Sequence, residues 1–236
     1  MLANRSHTKE LLDRDDIPFP DIKKNMEELE IINNKLGGHR ITVEGLRSFI
    51  SNNQTGEAYH VAEIGCGGGD NLRAVRRWCL KNNIRISLTG VDINPHCIAF
   101  AREQAENEGI SFICSDYKEV KFDNTPHIIF SSLFCHHFGD AELVSMLRWK
   151  KENSLSGFFI NDLHRHPLAY YSIRTLTKLF SKSYLVKNDA PLSVARGFKK
   201  KDWSDLFQQA GISKYECEWR WAFRWLLTYK HHGDGK

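Results

Sequence analysis

The sequence predicts an α/β fold built on a parallel sheet covered by helices on both faces. Two observations carry this. Between Tyr59 and Asn161, short strand-like runs alternate with stretches whose apolar residues recur at helical spacing. The first run, residues 60–64, ends in the glycine-rich turn Gly65-Cys66-Gly67-Gly68-Gly69, directly before a helical pattern. The chain has 236 residues, enough for one full-sized domain with an appended lid.

In chain order, Ile22, Met26, Leu29, Ile32 and Leu36 recur at steps of four and three, which is one helix face. Pro20-Asp21 marks its start and Gly37-Gly38 its stop. A second helix is expected from Thr42, burying Leu46, Phe49 and Ile50, while residues 13–20 read as a loop. After the strand at 60–64, Leu72, Val75 and Cys79 mark a helix. A strand follows at 86–91, ending at Asp92, and Asn94-Pro95 opens another helix, with Asn as cap and Pro in the first turn. Strands are expected at 110–114, 127–134 and 157–161, with a helix near 140–150. Pro167 opens a helix through Leu168, Tyr171, Leu176 and Phe180. Residues 188–197 read as a loop, and a helix runs from Lys201 to Gly211. The stretch 214–229 forms two antiparallel strands, which either complete the sheet or seal a dimer, and the last six residues should fray. This divides the chain into an N-terminal helical lid at 1–57, a core at 58–163, a helical cap insert at 164–200 and a C-terminal part at 201–236.

Composition narrows the function. A formal net charge of +4 is too weak to argue for nucleic acid, and no apolar run reaches the length of a membrane helix. The six cysteines show no Cys-x-x-Cys, so neither a disulfide scaffold nor a zinc knuckle is expected. The start of the chain has no signal-peptide core, and the cysteine spacing makes a reducing compartment, the cytoplasm, the expectation.

The turn after the first strand invites a nucleotide reading, and two fail. The dinucleotide fingerprint needs a third glycine at 70, where an aspartate stands that would repel a pyrophosphate; the phosphate loop needs Gly-Lys-Ser/Thr. Glu63-x-Gly65-x-Gly67 instead resembles the first motif of class I S-adenosyl-L-methionine (SAM)-dependent methyltransferases, whose ligand has no phosphate. The order of the later strand ends, Asp92, Ser115-Asp116 and Ser131-Ser132-Leu133, is similar to the same superfamily. The resemblance implies a Rossmann-like fold with a seven-stranded, mostly parallel sheet. It implies SAM as cofactor and S-adenosyl-L-homocysteine (SAH) as product, held by Glu63, Gly65, Cys66, Gly67, Asp70, Asp92, Ile93, Asp116, Tyr117, Ser131, Ser132 and Leu133. Asp92 would accept both ribose hydroxyls, and Arg40 would approach the cofactor carboxylate.

Methylating a hydroxyl requires alignment, water exclusion and removal of a proton. His136 and His137 follow the fourth strand, and Asp162, His164, Arg165 and His166 follow the fifth. His137 or His164 is the expected base, with His136 as a further candidate and Asp162 orienting an imidazole; no metal is expected. His166, Arg165, Tyr171 and Arg196 are candidate acceptor contacts.

Asn/Asp-Pro-Pro-Tyr/Phe, the mark of nucleic-acid amino-methyltransferases, is absent at 131–137, as is a double-Glu loop. The flanks Glu10-Leu11-Leu12-Asp13, residues 25–38, residues 161–169 and residues 193–198 resemble bacterial O-methyltransferases found beside polyketide and phenolic-lipid synthases. The expectation is O-methylation of a phenolic or polyketide-like small molecule by a monomer or homodimer, with neither nucleic acid nor membrane as partner. Methylation of a quinone precursor, or an inactive cofactor-binding interaction protein, are the alternatives.

Overall fold

Seven strands lie in one sheet in the order β3-β2-β1-β4-β5-β7-β6. They are β1 (Tyr59–Ile64), β2 (Ile86–Asp92), β3 (Ile110–Cys114), β4 (Ile128–Ser132), β5 (Gly157–Leu163), β6 (Glu216–Arg220) and β7 (Arg224–Lys230). The first five pair in parallel, and β7 enters antiparallel to β5, so the C-terminal strands complete the sheet. The computed structural model describes residues 2–14, 16–50 and 58–231; the predicted fraying beyond His231 and the boundary of the lid at 57 lie outside the described residues.

Strand order reverses between β1 and β4, and a crevice opens at the carboxyl ends of these strands. The helices are α1 (Phe19–Lys35), α2 (Gly38–Arg47), α3 (Asp70–Lys81), α4 (Pro95–Glu103), α5 (Asp140–Glu152), α6 (Pro167–Phe180), α7 (Tyr184–Arg196) and α8 (Lys200–Gln209). One apolar layer joins Ile41 and Leu46 of α2 to Leu72 and Val75 of α3 and to Phe130 and Phe159 of the sheet. The opposite layer joins Leu147 of α5, Trp203 and Phe207 of α8, and Phe158.

Local signals act as the sequence indicates at several helix ends. The Asn94 side chain accepts from the amides of His96 and Cys97, and Gly37 turns at φ +77°, a conformation that a Cβ resists. Three expectations are corrected. The second helix starts at Gly38, four residues before Thr42, because Gly37 reverses the chain and α2 follows at once. The fourth strand stops at Ser132, and Cys135–His137 form a 3-10 turn. Residues 188–196 are helical despite Pro191: Ser183 caps the Val186 amide, and Leu185, Val186, Val194 and Ala195 are buried. The burial of that apolar face outweighs the missing amide of Pro191.

Candidate active site

The site grows from three chain reversals at the carboxyl edge of the sheet. After β1, Gly65, Gly67 and Gly69 take φ of +74°, +49° and +80°. A Cβ on Gly65 would sit 2.1 Å from Phe134, whereas one on Gly67 would meet nothing within 4 Å. The loop is therefore packed at its start and open at its centre. After β2, the Asp92 carboxylate accepts from the Gly67 amide (2.9 Å) and the Asn94 amide (2.9 Å), so β2 holds the glycine loop in place. Burial pushes the Asp92 carboxyl up, and those backbone donors oppose the shift. After β4, Leu133 takes φ +52°, unusual for a residue with a Cβ, and its amide is fixed by the Asn161 carbonyl at 2.9 Å.

A cleft of about 630 Å³ lies over these turns, lined by Gly65, Cys66, Gly67, Asp70, Asp92, Ile93, Ser132, Leu133 and, from above, Asn25, Met26 and Leu29 of α1. The roof is tied down by Arg73, which donates to Glu30 at 2.7 Å. Asp70 opens α3, and its carboxylate takes His39 Nε2 at 2.7 Å and Asn33 Nδ2 at 3.2 Å. Burial acts to raise its pKa, but those partners outweigh it and leave the carboxyl below its usual range. An aspartate stands where a phosphate binder has glycine because its partners are the N-terminal helices.

A second cavity, about 370 Å³ and mostly apolar, lies under α6 and α7; Leu12, Leu29, Ile32, Ile173, Leu176, Val194, Trp221 and Phe223 form much of its wall. Its polar lining includes Glu10, His136, His137 and Arg224. The two cavities share Leu12, Leu29, Leu133 and His137, and of these His137 alone carries a proton-transfer group.

The imidazoles are held by carboxylates. His136 Nδ1 lies 2.8 Å from Asp162 Oδ1, and Asp162 Oδ2 also accepts from the Cys135 amide at 2.7 Å. His137 Nδ1 lies 2.9 Å from Asp13 Oδ1. Arg196 donates to the His136 carbonyl (3.0 Å), the His137 carbonyl (2.6 Å) and Asp13 Oδ2 (2.7 Å), which locks the 3-10 turn against the N-terminal segment. Burial acts to raise Asp13 and Asp162, yet their imidazole partners leave both below the usual carboxylate range. An ionised carboxylate must receive a proton at Nδ1, which leaves Nε2 as the basic nitrogen of each ring. Glu10 Oε1 lies 3.7 Å from His136 Nε2. Ligand atoms of Glu10, His136 and His137 fall within 4.8 Å of one another, a spacing that a divalent ion could bridge.

Burial pushes the Glu10 carboxyl up to about 7, against the charges of His137 and Arg196 and the Ser193 hydroxyl. The folded chain therefore holds this proton more tightly than the unfolded chain. Stability that is fully present below pH 4.5, the ordinary carboxylate value, is lost as pH rises towards 7, by up to about 3 kcal/mol. Glu10→Gln is expected to remove that loss. Urea midpoints at pH 5 and pH 8 check it, and a variant with the wild-type pH dependence would contradict it.

Several sequence candidates lie elsewhere. His164, Arg165 and His166 line a separate hollow beside Lys199 and Trp225. His164 Nδ1 accepts from Trp219 Nε1 at 3.2 Å, and burial with His166 and Arg165 nearby depresses the imidazole to about 4, so it is no base for the cleft. Arg165 is a strut to the Gly197 carbonyl (2.6 Å), and His166 caps α6 through the Leu168 amide (3.2 Å). β5 runs two residues beyond Asn161, which carries this segment past the cleft. Tyr171 is exposed on the outer face of α6. Arg196 touches the histidine turn but lines neither cavity, and it pairs with Asp13, while Asp189 caps the Leu11 and Leu12 amides.

Among the cofactor candidates, Arg40 is exposed and pairs with Glu44 at 3.4 Å, and its neighbour His39 faces inward instead. Tyr117 packs in the core against Phe138 and Trp149; Asp116 accepts from the Lys118 amide outside the cleft lining. Ser131 faces Cys135 inside the fold. Glu63 lies beneath the loop, where burial and the charges of Asp70 and Asp92 keep its carboxyl well above the usual range. Sequence reasoning missed Glu10, Asp13, Asn25, Asn33 and Arg224; Glu10-Leu11-Leu12-Asp13 stood out in the sequence, without a role.

Residues 61–151 match a family described as a methyltransferase domain. No curated protein matches the chain. Among solved structures, the chain is similar to the plantazolicin methyltransferase BpumL in complex with SAH, at 18% identity over 84% of this chain and 83% of that one, with a TM-score of 0.60. It is similar to the magnesium protoporphyrin IX methyltransferase of Synechocystis PCC 6803 with bound SAM, at 12% identity, 85% and 82% coverage and a TM-score of 0.55. Human N-acetylserotonin methyltransferase in complex with SAM gives 15% identity, 95% and 63% coverage and a TM-score of 0.63.

Proposed function

We propose that the chain is a SAM-dependent methyltransferase that methylates a hydroxyl of an apolar small molecule, phenolic or polyketide-like; the match of residues 61–151 to a methyltransferase-domain family supports this. The observation that carries this reading is the meeting of the polar cleft and the apolar cavity at His137.

The cleft fits the cofactor. Gly67 leaves open space above the backbone, and Asp92 keeps lone pairs on both oxygens for a vicinal diol. Asn25 Nδ2 is buried without a hydrogen-bond partner among the described residues, and Asn25 lines the same cleft. Gly65, Gly67, Asp92, Ile93, Ser132, Leu133 and Asn25 are the residues that would hold it. When bound, the cofactor supplies an electrophilic methyl group on a sulfonium.

The chain's own part is alignment and proton transfer. The apolar wall of the second cavity excludes water and seats a planar acceptor. A phenol has a pKa of about 10, so a base at its oxygen raises the fraction of nucleophilic phenolate. His137 Nε2 takes that proton while Asp13 holds Nδ1 and stabilises the imidazolium. Asp162 fixes His136 in the wall beside it.

The reading is tested by incubating the protein with SAM and a panel of alkylated phenols, with product mass as readout. A gain of one methylene unit (14 mass units) on a phenolic oxygen, with turnover unchanged after chelation by EDTA, is the expected result. SAH binding without product from any hydroxyl would favour the interaction-protein alternative. Loss on chelation, restored by a divalent ion, would move the role of His137 from base to ligand.

A further inference from the structure

Arg224 is the first residue of β7 and faces the layer between the sheet and α1–α2. It is 3% exposed, and it lines the apolar cavity. Its Nη2 donates to Asn33 Oδ1 at 2.8 Å, while Nη1 has no hydrogen-bond partner among the described residues. Among the described residues no carboxylate neutralises it directly. Asp70 and Asp162 act on it only from a distance, and they are engaged by His39 and His136. Gly38 makes this placement possible: a Cβ there would lie 2.1 Å from Asn33 Oδ1 and 3.1 Å from Arg224 Cζ.

A guanidinium buried in an apolar wall with an unused donor is costly unless something completes it. Folding alone does not require it, since a neutral side chain at the start of β7 would fill the space beside Asn33 without that penalty. Arg224 lines the acceptor cavity and does not line the cofactor cleft.

We propose that Arg224 recognises an anionic oxygen on the acceptor, so that the substrate is an apolar hydroxy acid and not a neutral phenol. This deepens the reading of the apolar cavity as the acceptor site and rests on it. An acceptor carboxylate would pair with the guanidinium, compensate the buried charge and fix the ring relative to His137. The link from Arg224 through Asn33 to Asp70 keeps the guanidinium from swinging into the cleft. The aromatic side chains of Trp221 and Phe223 in the same wall suit the apolar remainder.

The test uses a matched pair of probes: a hydroxybenzoate bearing an alkyl chain, and the alkylphenol lacking only the carboxylate. Binding of each is measured by calorimetry in saturating SAH, on wild type, Arg224→Gln and Arg224→Lys. The expected result is an acid preference of about 10–100-fold in wild type, as for hydrogen bonds to charged groups. It should vanish in Arg224→Gln and survive in part in Arg224→Lys, with SAH affinity unchanged in all three. Equal binding of the pair by wild type overturns the proposal, as does loss of SAH affinity in Arg224→Gln, which would assign the guanidinium to the cofactor. Should Arg224→Gln fail to fold, wild type and Arg224→Lys still decide the matter. Failure of SAH to bind wild type would instead strike the reading of the cleft, and is seen separately.

Discussion

His137→Ala is expected to lower kcat about 10²–10⁴-fold, the range that a positioned general base contributes. The residue stands where the cleft and the apolar cavity join, with Nδ1 on Asp13 at 2.9 Å. A rate loss confined to kcat, with SAH affinity and acceptor KM near wild type, would identify proton removal as the missing step. The rate of the variant should rise with pH towards the ordinary phenol pKa as solvent supplies phenolate. His136→Ala provides the contrast. It leaves Asp162 buried without its imidazole, so its main cost is in stability. Turnover of His137→Ala within a factor of about 3 of wild type at neutral pH, well below the range above, would end the base assignment.

Asp92→Ala should weaken SAH by about 10–150-fold, equivalent to roughly 1.5–3 kcal/mol for bonds to a charged acceptor. Two effects act together. The diol loses its acceptor, and the Gly67 and Asn94 amides lose the carboxylate that positions the loop. Asp92→Asn separates them, since its side-chain oxygen still takes one amide while the charge is gone. Calorimetric titration of the three proteins with SAH measures this. Equal affinities would remove Asp92 from the site and leave the glycine loop without its ribose partner.

The sheet was legible because each strand carries its own signal. Residues 60–64, 86–92 and 110–114 are bounded by turn residues, and the helix between the last two opens on Asn94-Pro95. The glycine loop and Asp92 belong to that legible set, since their spacing is fixed by a strand, a turn and a helix in direct succession. The loop expected over 188–197 was misread because local propensity weighs Asp189, Pro191 and Gly197, whereas burial of Leu185 and Val194 against neighbouring elements is invisible locally. His164 and His137 looked equivalent in sequence, each following a strand at the same edge. They part because β5 runs on to Leu163 beside β7, placing His164 against Trp219 and Trp225, while β4 stops at Ser132 and turns into the cleft.

The sequence by itself determined the α/β class, the glycine loop after β1 and the acid at the end of β2, because these depend on residues close together in the chain. Only the tertiary structure decided which histidine meets the cleft and which groups surround it. Asp13 reaches His137 across 124 positions, and Arg224 reaches Asn33 across 191. Such contacts are selected by packing of whole elements, which local sequence pattern does not encode. Charges that look like ordinary solvated residues in the sequence become, once buried together, the chemistry of the site.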